Sequence, residues 1–311
     1  MDALFNIVLP VFGIVFAGYL SRHYRLLGTA SAEALNSFTY YIALPPLLLI
    51  STARLPITEI FNWPFIIAYM SGVALTLAIV LPFARLLFGH RDLTLLSLHG
   101  LATIFANTVY MGIPIFIAAF GQSGTTPAIV VALFGNVILI IGIVCVEFGQ
   151  ASGNIGKITR DVMRALTGNP LLISLIAGLG ASYLELSFPK ALERFFDLLA
   201  AAAGPTALFA LGLSLYGQPI RGDLREISWL TIMKLLIHPL VTWCLVVYVF
   251  VIDPFWANAA VLLAALPTGT LVFVISQKYG IYVQRSAAVI MVTTMLSIIT
   301  LAMLLTWLGA A

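Results

Sequence analysis

Two short runs hold the residues whose types and spacing could do chemistry. One reads Asn107-Thr108-Val109-Tyr110-Met111-Gly112-Ile113-Pro114, the other Leu266-Pro267-Thr268-Gly269-Thr270. Each places proline and glycine inside a stretch without charge. Proline lacks an N–H and clashes with the carbonyl four residues back, so Pro114 and Pro267 would free the carbonyls of Tyr110 and Leu263. Glycine loosens the backbone further. In hydrocarbon, free backbone groups survive only where protein or a water-filled cavity satisfies them. Simple kinks are one reading, because both residues are common in membrane helices. The other reading is two broken helices meeting near the midplane. Each second half-helix, starting after Pro114 or Pro267, would then present unpaired N–H groups and a positive dipole end. Two such ends facing one cavity favour an anion. Asn107 would add an amide donor to a carboxylate. Thr108, Thr268 and Thr270, with Gly112 and Gly269, would line the site.

The other polar residues inside apolar stretches are candidates for a coupling or ion path. Lys234 and His238 are four apart and share a helix face. Either they form a cationic surface on the substrate path, with His238 able to carry a proton, or Lys234 snorkels to the boundary and His238 bonds a carbonyl. His99 is open to the same two readings. Asn136 would face Thr293, Thr294 and Ser297 only if two halves of the chain pack symmetrically; such residues often bond across helices as packing glue. No Asp or Glu falls at mid-depth: Glu147 lies near the end of one stretch and Asp253 in a turn. An obvious carboxylate relay is therefore missing, although sodium sites can be built from Ser, Thr, Asn and carbonyls. No phosphate loop, HExxH, GxSxG or Cys/His metal cluster appears. The expectation is no catalytic residue, no metal, no cofactor and no enzyme activity, with a proton or sodium as the coupling ion.

The elements that must position these residues follow from charge. The 311 residues are 61% hydrophobic with mean hydropathy +1.09, and only 9% are charged. Soluble domains carry about 25%. This excludes a soluble enzyme, a nucleic-acid binder and a disordered chain. A helix crossing the hydrocarbon needs about 20 mostly apolar residues. Charge-free stretches at 3–21, 34–53, 60–84, 93–146, 165–184, 198–220, 235–252, 254–277 and 286–311 provide them. The fourth is long enough for two helices and is split by Gly121-Gln122-Ser123-Gly124-Thr125-Thr126. The fold expected is an all-α polytopic membrane protein of ten spans. They fall near 4–20, 35–52, 62–88, 95–120, 126–148, 169–186, 196–216, 228–251, 256–277 and 286–308. Loops after the odd-numbered spans hold eleven Lys and Arg, including Arg22, Lys157, Arg221 and Lys278, against Arg54, Lys190 and Arg194 on the opposite side. The positive-inside rule then puts both termini outside the cytoplasm. Met1-Asp2 opens no basic leader, so the first span is expected to be retained. Cys145 and Cys244 fall in spans and imply no disulfide framework.

The basic loop at 149–168 divides the chain into five spans at 1–148 and five at 169–311. An odd number of spans makes any duplicated half run upside down. Four proline pairs fit a duplication: Pro10/Pro170, Pro46/Pro205, Pro82/Pro239 and Pro114/Pro267, at offsets of 160, 159, 157 and 153. Inverted repeats are a device of secondary transporters.

Certain segments resemble the auxin efflux carrier family from end to end. They are VLPVFGIVFAGYL in span 1, LNSFTYYIALPPLLL in span 2, the Asn107/Gly112/Pro114 run in span 4 and Asn169-Pro170 opening span 6. GPTALFALGLSL in span 7, KLLIHP in span 8 and Gln277-Lys278-Tyr279-Gly280 after span 9 complete the set. The resemblance implies two inverted five-helix repeats, similar to bile-acid/sodium symporters. Spans 1, 2, 6 and 7 would be a scaffold and 3–5 and 8–10 a mobile domain, with broken spans 4 and 9 crossing at the substrate. It implies transport of small organic anions such as auxin, malonate or malate. GTLVF at 269–273 is similar to a Gly-Thr-Gly-Pro-Phe pattern of the malonate-type branch, but Leu271 and Val272 depart from it, and the bulk of Leu271 suits a partly hydrophobic acid. The expected function is a secondary transporter moving a small carboxylate across the inner membrane by alternating access. A receptor or sensor of the same fold is the alternative. The expected partners are that anion and membrane lipid, with a homodimer left open and no nucleic acid.

Overall fold

The structure is a computed structural model that describes residues 7–150, 156, 159–160, 163–164, 167–217 and 223–309. Most of the expected 149–168 connection, with Lys157, lies outside these residues, as do Arg221 and the Met1-Asp2 start.

Among the described residues the chain is all-helical. The elements are α1 (Leu9–His23), α2 (Thr29–Phe38), α3 (Leu44–Ala53), α4 (Ile57–Ile60), α5 (Trp63–Phe88), α6 (Leu93–Ile104) and α7 (Ile113–Phe120). There follow α8 (Thr126–Gln150), α9 (Pro170–Tyr183), α10 (Lys190–Leu215), α11 (Leu224–Ile232), α12 (His238–Tyr248), α13 (Pro254–Ala265), α14 (Leu271–Tyr279) and α15 (Val283–Trp307). Six continuous helical runs in these residues are long and apolar enough to cross a membrane: 29–53, 57–88, 126–150, 190–215, 224–248 and 283–307. Shorter apolar helices occupy 93–104, 108–120, 170–183 and 254–265.

Three π-turns lie wholly within the described residues and interrupt the helical ladder, at Thr39–Ala43, Thr108–Gly112 and Met233–Ile237. Each ends two residues before a proline: Pro45, Pro114 and Pro239. A proline ring clashes with the carbonyl four residues back. One extra residue in the turn moves that carbonyl away, so the helix continues through the proline.

Close packing needs small residues where helices cross. A Cβ on Gly18 of α1 would run into the backbone carbonyl of Phe209 on α10, and one on Gly212 of α10 into the carbonyl of Val15. The backbones of α1 and α10 therefore touch directly. Asn169 caps α9, accepting from the N–H groups of Leu171 and Leu172, and its amide donates to Asn136 Oδ1 at 3.0 Å. The exposed Arg54 guanidinium grips Asp197 with two 2.9 Å bonds, joining the end of α3 to α10.

Candidate functional site

The stretches expected as spans 4 and 9 are both interrupted. Helix α6 stops at Ile104, and Phe105 turns extended with ψ 104°. Helix α13 stops at Ala265, Leu266 takes ψ 149°, and α14 begins at Leu271. The two breaks lie side by side as an antiparallel bridge between Ala106 and Thr268. Asn107 N–H donates to Pro267 O at 2.9 Å, and Gly269 N–H to Phe105 O at 2.8 Å.

The second break falls at Pro267, as proline chemistry predicts. The first does not fall at Pro114. It lies at Phe105–Asn107, and the π-turn at 108–112 carries the helix through the proline. The half-helix of span 4 accordingly starts at Thr108 rather than after Pro114. Gly112 allows the crossing: a Cβ there would stand 2.7 Å from Leu266 Cδ1. At Gly269 a Cβ would stand 2.6 Å from the Phe105 ring. Pro114 packs near Gly204 on α10.

Much of the freed backbone finds partners in the protein, as hydrocarbon demands. Thr268 Oγ1 donates to Ala102 O at 2.7 Å, and Thr268 N–H donates to Thr293 Oγ1 at 3.2 Å. Lys234 Nζ donates to Ala264 O at 3.0 Å. Asn107 O accepts from Met111 and Gly112. Unpaired N–H groups remain among the described residues within the breaks, at Ala106 and Leu266, and in the first turn of each second half-helix. The N–H groups of Thr108, Val109, Tyr110, Thr270 and Leu271 have no acceptor among the described residues. The Asn107 side chain is 3% exposed, and its Nδ2 has no partner.

These unpaired ends border two cavities. A chamber of about 40 Å³ touches Thr108, Val109, Asn136 and Leu271. A cavity of about 730 Å³ touches Tyr110, Thr270, Leu271, Tyr40, Tyr41 and Asn36, and reaches Arg22, Glu33 and Gln277 at its outer end. Leu271 borders both.

Lys234 and His238 are fully buried. Lys234 does not snorkel to a boundary. Its ammonium lies 3.2 Å from His238 Nδ1 and reaches the break in span 9. Asn136 is not paired with span 10. Its Nδ2 donates to Ala132 O at 2.8 Å and its Oδ1 accepts from Asn169, so it ties span 5 to span 6. Thr294 is buried with Oγ1 unpartnered, and Ser297 Oγ bonds back to Thr294 O at 2.7 Å. Of the polar residues considered on that helix, Thr293 is the one that bonds to the crossing.

One polar constellation carries no signal in the sequence. Glu226, at the start of α11, is 1% exposed. Its Oε1 accepts from His90 Nε2 at 2.7 Å, His99 Nδ1 at 2.8 Å and the Tyr282 hydroxyl, and Arg285 lies 3.2 Å from Oε2. Burial first, then the charge of Glu226, push the Tyr282 hydroxyl well above its usual range, so it keeps its proton and donates. The metal-ligating atoms of His90, His99 and Glu226 lie within 4.8 Å of one another. Sequence separations of 127 and 136 residues hide the grouping.

The chain matches the family described as "Membrane transport protein" over residues 3–305. It is 32% identical over 308 residues to a "Putative malonate transporter" of Rhizobium meliloti, covering 98% of this chain and 96% of that protein. It is 24% identical over 307 residues to an uncharacterized transporter of Methanocaldococcus jannaschii, covering 96% of each. A third similarity is to the "Lysosomal cholesterol signaling protein" of Mus musculus, 28% identical over 254 residues, 76% of this chain but 29% of that protein. The chain belongs to the membrane transport protein family, the auxin efflux carriers its motifs resemble, and is a multi-pass membrane protein.

Proposed function

With membership of that transporter family as the premise, we propose that the chain carries a small organic anion across the inner membrane by alternating access. The substrate carboxylate sits where spans 4 and 9 meet. The observation that carries this reading is the pair of helix starts with unpaired N–H groups, Thr108–Tyr110 and Thr270–Leu271, bordering the same two cavities. Helix N-termini attract anions through those N–H groups and the dipole. Asn107 Nδ2 is a further unused donor beside them. The named transporter relatives support the reading, and malonate is the first substrate to try.

The ten-span, inverted-repeat reading fits the geometry. The bridge pairs residues 162 apart, close to the offsets of the first three proline pairs. With both termini outside, the end of the large cavity at Arg22 and Gln277 would be cytoplasmic, which supports an inward-facing reading. Spans 3–5 and 8–10 would move against spans 1, 2, 6 and 7. The coupling ion is a proton or sodium.

Asn107→Ala tests the site. In proteoliposomes, uptake of labelled malonate, or of whichever monocarboxylate or aromatic acid the wild type accepts, should fall by about tenfold or more. The variant should remain inserted and monodisperse. Uptake like that of the wild type would refute the assignment of Asn107. A sensor is the second reading, favoured by the similarity to the mouse signaling protein. Exchange of labelled for unlabelled substrate across vesicles separates the two, because a sensor binds without translocating.

A further inference from the structure

Lys234 carries a buried amine with no carboxylate beside it. Its ammonium is fully buried in the π-turn between α11 and α12. No Asp or Glu oxygen among the described residues lies within 4.0 Å of it. Glu226, on the same span two turns earlier, is committed to His90, His99, Tyr282 and Arg285. The other titratable groups on the elements packed around this turn are Tyr69, whose ring lies 6.3 Å from His238, and Arg85 on α5, His99 on α6, Arg225 on α11, Cys244 and Tyr248 on α12 and Arg285 on α15; none is a carboxylate. A buried unpaired charge costs several kcal/mol, so something else must hold it.

Two features of the break do so. The ammonium donates to Ala264 O, one of the last carbonyls of α13, a group the interruption has freed. A helix C-terminus is the negative end of its dipole. Lys234 thus stands at the negative end of the first half of span 9, while the unpaired N–H groups of Thr270 and Leu271 mark the positive end of the second. In secondary transporters built on discontinuous helices, freed carbonyls and half-helix C-termini are where a coupling sodium binds. Here a side chain already fills that position. His238 Nδ1, at 3.2 Å, can serve as a second acceptor.

We propose that Lys234 is a tethered cation: its ammonium occupies the freed-carbonyl position of broken span 9 that a sodium ion would otherwise take, and transport proceeds without sodium. The proposal rests on the anion reading of the crossing, in which the bound carboxylate is the charge that complements the ammonium. It also removes sodium from the two coupling ions considered above.

The test begins with the protein alone. Purified wild type and Lys234→Ala are melted in sodium chloride, choline chloride and methylammonium chloride at equal ionic strength. The expected result is that sodium or methylammonium raises the melting temperature of Lys234→Ala above its value in choline, while wild type does not respond. No cation response in the variant, or an equal response in wild type, overturns the proposal. If Lys234→Ala does not fold, wild type still decides: a specific stabilisation by sodium over choline overturns it, and indifference supports it. Lys234→Gln keeps a donor for Ala264 O without the charge. Its malonate uptake should fall by about tenfold or more, and uptake equal to wild type overturns the role of charge. Wild-type uptake should change less than about twofold when sodium is replaced by choline. If wild type takes up no organic acid, the transport reading fails, and the melting experiments still judge the tethered cation.

Discussion

Glu226 shows how much one side chain can hold together. Its carboxylate, on helix α11, joins the loop after α5, helix α6, the turn before α15 and α15 itself, through His90, His99, Tyr282 and Arg285. Tyr282 adopts φ 65° to take part, a left-handed conformation that costs a bulky residue energy. Removing one partner of a buried, hydrogen-bonded charge costs about 3–5 kcal/mol. Glu226→Ala should therefore lower the melting temperature in detergent substantially. Asp197→Ala, which breaks an exposed ion pair, should cost less than about 1 kcal/mol. Equal melting of the two variants would show that the Glu226 cluster is not a structural clasp. None of this was legible in the sequence, where Glu226 is only a carboxylate at the edge of a long apolar stretch. Asn107 was legible, because an amide beside a Gly-x-Pro run inside a membrane segment stands out against its apolar surroundings.

At the scale of elements, the crossing of α1 and α10 depends on two glycines that let backbone meet backbone. Gly212→Leu should force these helices apart at a cost of roughly 1–3 kcal/mol or more, read as loss of the monodisperse peak in fluorescence-detected gel filtration. Gly13→Leu should be silent, since a Cβ there meets nothing within 4 Å. The same scale explains which breaks could be foreseen. Pro267 sits in the break of span 9. Pro114 does not sit in the break of span 4, because the π-turn before it absorbs the clash. The break at Phe105–Ala106 contains neither proline nor glycine. Its causes come from elsewhere in the fold: Thr268 Oγ1 takes the Ala102 carbonyl, and Pro267 O and Gly269 N–H pair with the opened strand. No local pattern announces an interruption produced by a partner 162 residues away.

At the scale of the molecule, the charge-free stretches located the helical segments closely, because hydrocarbon excludes charge and imposes a minimum length. The sequence could not reveal the cavity of about 730 Å³, since its walls come from six separate elements. On the proposed topology, with both termini outside, that cavity would open to the cytoplasm. A cysteine at Ser37 or Tyr41, in a background lacking Cys145 and Cys244, should react with a membrane-impermeant maleimide in inside-out vesicles and resist it in right-side-out vesicles. The reverse pattern would invert the topology. One further consequence comes from the bridge between Ala106 and Thr268. Its bonds use main-chain atoms alone, so they tolerate exchange of the neighbouring side chains as long as Gly112, Thr268 and Gly269 stay in place. A lineage could exchange Leu271, Tyr41 or Tyr110 and acquire a new cargo while the scaffold of the pocket stays put, which makes this architecture easy for evolution to retune.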